Sequence, residues 1–184
     1  MRELSLNILD IAQNSLAANT TSLLIEIGIS KAENRLAIKI SDNGKGMDKN
    51  LLEKVCDPFV TSRKTRRVGL GIPLFKMSAE LCGGTFDINS ALNVGTTVTA
   101  SMELFHIDRM PLGNIGDTLT AIIMAKPDIE LTYLHTFESE TFEFSTNTIR
   151  EILGETKIES YEIINYLKEF INENINELQK GEVF

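Results

Sequence analysis

The chain has 184 residues, 42% hydrophobic and 24% charged, proportions that exclude whole-chain disorder and allow one domain, or one plus a small appendage. Its net charge of −8 is uneven, with 12 basic and 11 acidic side chains in residues 1–104 against 6 and 15 in residues 105–184. So acidic a chain argues against nucleic acid as a partner, and the asymmetry points to two units with different surfaces. No apolar run approaches the ~18 residues of a membrane helix, and the first ten residues carry acids among their apolar side chains, unlike a signal peptide. Cys56 and Cys82 make neither a metal spacing nor a disulfide framework. A cytoplasmic protein with reduced thiols and no membrane contact is expected.

Residues 3–18 read as a helix, with Ile8, Ile11, Ala12 and Ser15 at i, i+3, i+4 and i+7, and Asn7, Asp10 and Asn14 on another face. Residues 22–29 and 35–41 alternate with period two across a short polar link, which predicts an antiparallel hairpin. A two-glycine turn at 42–47 leads to a short helix near 49–56 and an irregular basic stretch over 57–68. Gly69-Leu70-Gly71 opens a helix with Pro73 in its first turn, expected to bury Leu74, Phe75, Ala79 and Leu81 before Gly83-Gly84 ends it. Strands 85–90 and 95–104 form a second hairpin. Beyond a linker at 111–114 come a helix at 115–125, strands at 129–136 and 140–145, a short helix at 146–153 and a long acidic helix at 159–179. The fold class is α+β: a two-layer sandwich with helices on one face of a mixed, mainly antiparallel sheet over residues 1–104, plus a small acidic C-terminal α+β unit over 105–184, expected to pack on its own sheet.

Neither the Gly-x4-Gly-Lys-Ser/Thr phosphate loop nor Gly-x-Gly-x-x-Gly after a strand is present. Four other segments supply nucleotide chemistry. Asp10 and Asn14 lie about one helical turn apart, so they share a face; an Asn carbonyl is a hard ligand for Mg2+, and the carboxylate can act as a base. Asp42 stands at a strand end, where a carboxylate can accept from adenine's exocyclic amine and would repel guanine's carbonyl, while Gly44 and Gly46 let the backbone approach a ring. Arg63, Lys64, Arg66 and Arg67 are four cations within five positions that could close over a triphosphate. Gly69 and Gly71 at a helix start free N–H groups for phosphate, and Thr96 adds a small polar group near the base. Singly, each segment has a plainer reading: a solvated helix face, a turn, a basic loop, close packing.

In order and spacing, these segments resemble the GHKL superfamily, the Bergerat-fold ATPases that include gyrase-type topoisomerases, mismatch-repair clamps, histidine kinases and anti-sigma-factor serine kinases. Residues 9–18 resemble the N box, 42–47 the G1 box, 57–63 the F box, 69–74 the G2 box and 95–97 the motif of the last strand. The resemblance implies ATP and Mg2+ as cofactors, with Asn14 on the metal, Asp10 as catalytic base, and Asp42 reading adenine with help from Gly46 and Thr96. Arg63 or Lys64 would touch the terminal phosphates, and Gly69 and Gly71 would expose the helix start to them. Gly44, Met47, Phe59, Thr61 and Leu70 belong to the same implied nucleotide site. Two departures stand out: Asp10 replaces the Glu of the hydrolases and serine kinases, and the segment between Arg63 and Gly69 is a very short lid.

The N box begins within ten residues of the start, which leaves no room before it for a sensor kinase's phosphoacceptor helix, and His106 and His135 read as structural. The resemblance therefore implies a stand-alone protein kinase in signal transduction, phosphorylating a separate partner protein. The alternatives are a slow ATPase or a non-catalytic adenine-nucleotide sensor that switches assembly with a partner. A homodimer is left open.

Overall fold

The computed structural model describes residues 3–56 and 70–184. Among these the order is α1 (Leu4–Ala17), β1 (Ser22–Ser30), β2 (Arg35–Asp42), α2 (Lys49–Val55), α3 (Gly71–Leu81), β3 (Thr85–Ala91), β4 (Gly95–Glu103), α4 (Ile115–Ala125), β5 (Glu130–Phe137), β6 (Glu140–Ser145), α5 (Thr146–Leu153) and α6 (Tyr161–Leu178). Period-two alternation settles which way each strand faces. Leu23, Ile25, Ile27 and Ile29 of β1 and Leu36, Ile38 and Ile40 of β2 are buried, and the residues between them point to the opposite face. On that outer face Glu26 and Lys39 pair at 2.6 Å, both side chains about a third or more exposed, so the pair adds little stability.

The strands form one six-stranded sheet in the order β3-β4-β2-β1-β5-β6. Only the β1–β5 pairing is parallel; the other neighbours run antiparallel. The helices line the apolar face, with α1 packed against α3 and α4, and α4 against α6. Residues 105–184 thus build no sheet of their own. β5 docks beside β1 from Ser22↔Glu130 to Ile29↔Phe137, so strands from both sides of Leu104 share one core. The physical reason is that β1 is apolar along its inner face and, with only β2 beside it, has an open edge. β5, with Leu131, Tyr133 and Phe137 inward, completes both.

The stripe of α3 differs in detail from its expected face. In α3, Phe75 and Ala79 are buried and Leu74 is half-buried, but Leu81 is 61% exposed. At 100° per residue Leu81 falls far from Phe75, and Ile72 takes the inward place instead. In α6, Leu167, Ile171 and Ile175 form the buried line and Ile163, Ile164, Phe170 and Leu178 flank it.

His135 lies fully inside, its Nδ1 2.5 Å from the Tyr133 hydroxyl and its Nε2 3.0 Å from the Gln179 side-chain nitrogen, tying α6's end to β5. Burial lowers its pKa from 6.5 to about 4. The unfolded chain therefore takes up a proton near pH 6.5 that the folded chain refuses. The stability this neutral imidazole carries is fully present above pH 6.5 and is lost as pH falls towards 4, about 3 kcal/mol in all. NMR of the imidazole should show no titration between pH 7 and 5, with the urea midpoint falling over the same range; an imidazole titrating near 6.5 in the folded protein would remove this source of acid lability.

Candidate functional site

A cleft of about 180 Å3 opens between α1, the end of β2, α2 and the start of β4. Its walls are mainly apolar, from Ile11, Ile40, Val55, Ile72 and Val98, with Asn14, Ser15, Asp42, Lys45 and Thr96 as polar groups. A mainly apolar cleft with a few fixed polar groups suits a heteroaromatic ring.

Asp42 stands where β2 ends. Its Oδ1 accepts from the backbone N–H of Gly44 at 2.8 Å and of Thr96 at 3.3 Å. Its Oδ2 accepts from the Ser15 hydroxyl at 2.6 Å. Three donors therefore fix the plane of the carboxylate, and Oδ2 keeps acceptor capacity towards the cleft. The loop that follows is pinned at both sides: Lys45 N–H donates to Ala18 O at 3.0 Å, and Asn93 N–H donates to Lys45 O at 2.8 Å. Gly46 has φ +62°, and a Cβ there would sit 1.9 Å from the carbonyl oxygen of Ala91, so only glycine fits.

Asp10 and Asn14 share a helix face but not a pocket. Asn14 lines the cleft. Asp10 packs against the first residue of α3: a Cβ on Gly71 would come 2.9 Å from Asp10 Cβ and 3.2 Å from its Oδ2. Burial pushes the Asp10 carboxyl above its ordinary value, in the direction that makes its anion a better base. Leu70 gives the start of α3 no side-chain cap, and among the described residues the N–H groups of Gly71 and Ile72 have no partner, so they could meet an anion; Pro73 has no N–H to offer.

The structure thus brings Asn14, Asp42, Gly46, Met47 and Thr96 into one cleft, puts Gly44 on the Asp42 carboxylate, and sets Asp10 beside Gly71, with Leu70 exposed at the helix start. Phe59, Thr61, Arg63, Lys64 and Gly69 lie outside the described residues. Among the described residues no three His, Cys, Asp or Glu side chains gather as a metal cluster, so a metal held by Asn14 would draw its other ligands from phosphate and water, as Mg2+ commonly does.

Four contributors were not among the expected site residues, although Ser15, Asn43 and Lys45 lie inside the N and G1 boxes. Ser15 orients Asp42. Lys45 lines the rim. Asn43 accepts from Thr20 Oγ1, Thr21 N–H and Ser22 N–H, stitching the β2 end to the start of β1. Ser90 of β3 touches Met47, Gly95 and Thr96. Register is the signal that finds Ser90: zipping the β3–β4 hairpin outward sets it opposite Thr96. A fifth feature has no chemical account in the site: Asn7, three residues before Asp10, is fully buried and neither atom of its amide has a partner among the described residues.

Residues 1–106 match the family model described as "Histidine kinase-, DNA gyrase B-, and HSP90-like ATPase". Sporulation kinase D of Bacillus subtilis (strain 168) is 33% identical over 97 residues, covering 53% of this chain and 19% of the kinase. Sensor histidine kinase YvrG of the same organism is 30% identical over 90 residues, 47% of this chain and 16% of that protein. The chain therefore spans less than a fifth of the length of these relatives. Among solved structures, the Aquifex aeolicus MutL ATPase domain complexed with ADP superposes with a TM-score of 0.54 at 15% identity, covering 83% of this chain and 69% of that one. The N-terminal domain of a DNA repair protein gives a TM-score of 0.53 at 17% identity, covering 86% of this chain and 59% of that one. At such identities the structural likeness speaks for the fold alone.

Proposed function

Because the chain belongs to the histidine kinase-, DNA gyrase B- and HSP90-like ATPase family, we propose that it binds Mg-ATP in the α1–β2 cleft and passes the terminal phosphate to a separate partner protein. The observation that carries nucleotide binding is the Asp42 carboxylate, held by three donors and facing an apolar slot. Adenine's amine would meet Asp42 Oδ2, and Asn14 would hold Mg2+. The uncapped start of α3 would receive phosphate. Asp10 would take the proton from the attacking group as its oxygen or nitrogen bonds to the γ-phosphorus and the bridge to the β-phosphate breaks, releasing ADP.

Kinase action is supported by the names of the relatives, which are sporulation and sensor kinases. A cytoplasmic location belongs to the same proposal and is supported by the unpaired cysteines Cys56 and Cys82. Incubation with γ-labelled ATP, alone and with a lysate, separates the readings. Label on a protein supports the kinase, free phosphate supports a slow ATPase, and neither, with binding intact, supports a sensor.

Base preference tests the cleft itself. Guanine's carbonyl would face a carboxylate, and an unmatched buried pair costs ~1–3 kcal/mol, so Mg-ATP should bind roughly tenfold or more tightly than Mg-GTP. Equal affinities in a calorimetric titration would take Asp42 out of this role.

A further inference from the structure

Three strands set Ser90, Thr96 and Asp42 in one cross-strand row, Ser90↔Thr96 on β3–β4 and Asp42↔Thr96 on β2–β4. Thr96 and Asp42 line the cleft; Ser90 stands one strand further out, on the sheet edge, with no place in the lining. Its hydroxyl has more neighbours than a serine usually has. It accepts from Met47 N–H at 2.9 Å, donates to the carbonyl oxygen of Gly95 at 2.9 Å, and lies 2.9 Å from Thr96 Oγ1.

A serine hydroxyl has one hydrogen and two lone pairs. The Gly95 carbonyl can only accept, so bonding it uses the one hydrogen. Met47 N–H occupies one lone pair. What remains for Thr96 is the second lone pair, and Thr96 must then be the donor. With its only hydrogen turned to Ser90, the Thr96 hydroxyl shows the cleft lone pairs alone. Asp42 beside it is likewise acceptor-only. The polar edge of the cleft is thus set to accept at two neighbouring points, which suits a ligand edge rich in donors, such as an exocyclic amine together with a water, and opposes a carbonyl.

We propose that Ser90 is a positioning residue for base selection: by fixing the direction of the Thr96 hydroxyl it denies the cleft a donor that guanine's carbonyl could use. The proposal rests on the adenine-nucleotide reading of the cleft and adds to it a residue from a strand outside every matched motif. In Ser90→Ala the Thr96 hydroxyl loses its acceptor, is free to turn, and can donate into the cleft.

The test is calorimetric titration of the full chain with Mg-ATP and Mg-GTP, for wild type, Ser90→Ala and Ser90→Thr, with thermal unfolding alongside. Ser90→Ala is expected to bring the ATP:GTP affinity ratio down about tenfold, mainly through tighter GTP binding, the worth of one hydrogen bond gained in a desolvated site. Ser90→Thr keeps the hydroxyl on a strand position that tolerates β-branching and should restore the wild-type ratio. A purely structural Ser90 would weaken both nucleotides in proportion; an unchanged ratio in Ser90→Ala, with the variant folded, overturns the proposal. If Ser90→Ala does not fold, Thr96→Val gives the second measurement: removing the hydroxyl removes Ser90's route to the base, and a double variant Ser90→Thr/Thr96→Val whose ratio differs from that of Thr96→Val overturns it. A wild type that binds neither nucleotide refutes the adenine reading, whereas a wild type that prefers ATP with a Ser90-independent ratio refutes only the role of Ser90.

Discussion

Asp10→Asn should leave Mg-ATP affinity nearly unchanged and lower turnover by ~10²–10⁴, the usual worth of a positioned general base. The substitution is isosteric, so the close packing of residue 10 on Gly71, which a larger group would disturb, is kept. Asp10 also lies outside the cleft lining, so the proposed base and the proposed metal ligand are separate in space although only one helical turn apart. Asn14→Ala is the complement: Mg2+ should cease to strengthen ATP binding, and activity should go with it. The pH profile adds a check, since burial raises the Asp10 carboxyl and the acid limb of the turnover profile should lie above the ordinary range of an aspartate. If wild type turns over ATP and Asp10→Asn matches its rate, Asp10 is a packing residue and the base lies elsewhere.

Cutting the chain after Leu104 should abolish folding, not merely weaken it. Every described motif residue lies before that point, yet the fragment would lose the whole β1–β5 ladder and the cover α4 gives α1. It would also lose the partners of α1's first N–H groups, since Leu4 N–H donates to Pro111 O at 2.9 Å and Ser5 N–H to Leu112 O at 2.8 Å. Re-exposing even one flank of Leu23, Ile25, Ile27, Ile29 and Leu4 costs part of ~1.5–3 kcal/mol at each, against a whole-domain stability of about 5–15 kcal/mol. Circular dichroism should show no cooperative transition for residues 1–104, and ATP should not restore one. A soluble fragment that melts cooperatively and binds ATP would mean that the motif-bearing part folds independently of the strands it pairs with here.

The elements were legible in the sequence because each one obeys its own period. Leu23 to Ile29 alternate strictly, α1 and α6 keep their stripes, and paired glycines or polar links punctuate the joins. Their assembly was less legible. Nothing local in residues 129–137 says that they lie parallel to residues 22–30 in the same sheet, because such a pairing is fixed by which apolar edge is left open, not by composition. The site divides in the same way. Asp42, Gly46 and Thr96 take their roles from recognisable motifs, whereas Ser90 enters only through strand register, and Ser15, though inside the N box, gains its role only where α1 faces the end of β2. The Asn7 amide ran against its pattern altogether, a polar side chain buried without a partner among the described residues on a helix whose polar face was expected to meet solvent.

The parallel seam also sets an order of events during synthesis. Lys31 N–H and the Glu138 carboxylate, which meet at its far end, are 107 residues apart in sequence. At ~5–20 residues per second, β1 and its hairpin partner would leave the ribosome roughly 5–20 s before β5 could reach them. During that interval β1's second edge has no partner and its inner face lacks part of its helical cover. Pairings this distant slow the search for the native state and lengthen exposure to wrong neighbours. The last strands to emerge therefore act as the clasp that makes the earlier ones permanent, although every residue that lines the cleft is synthesised before them.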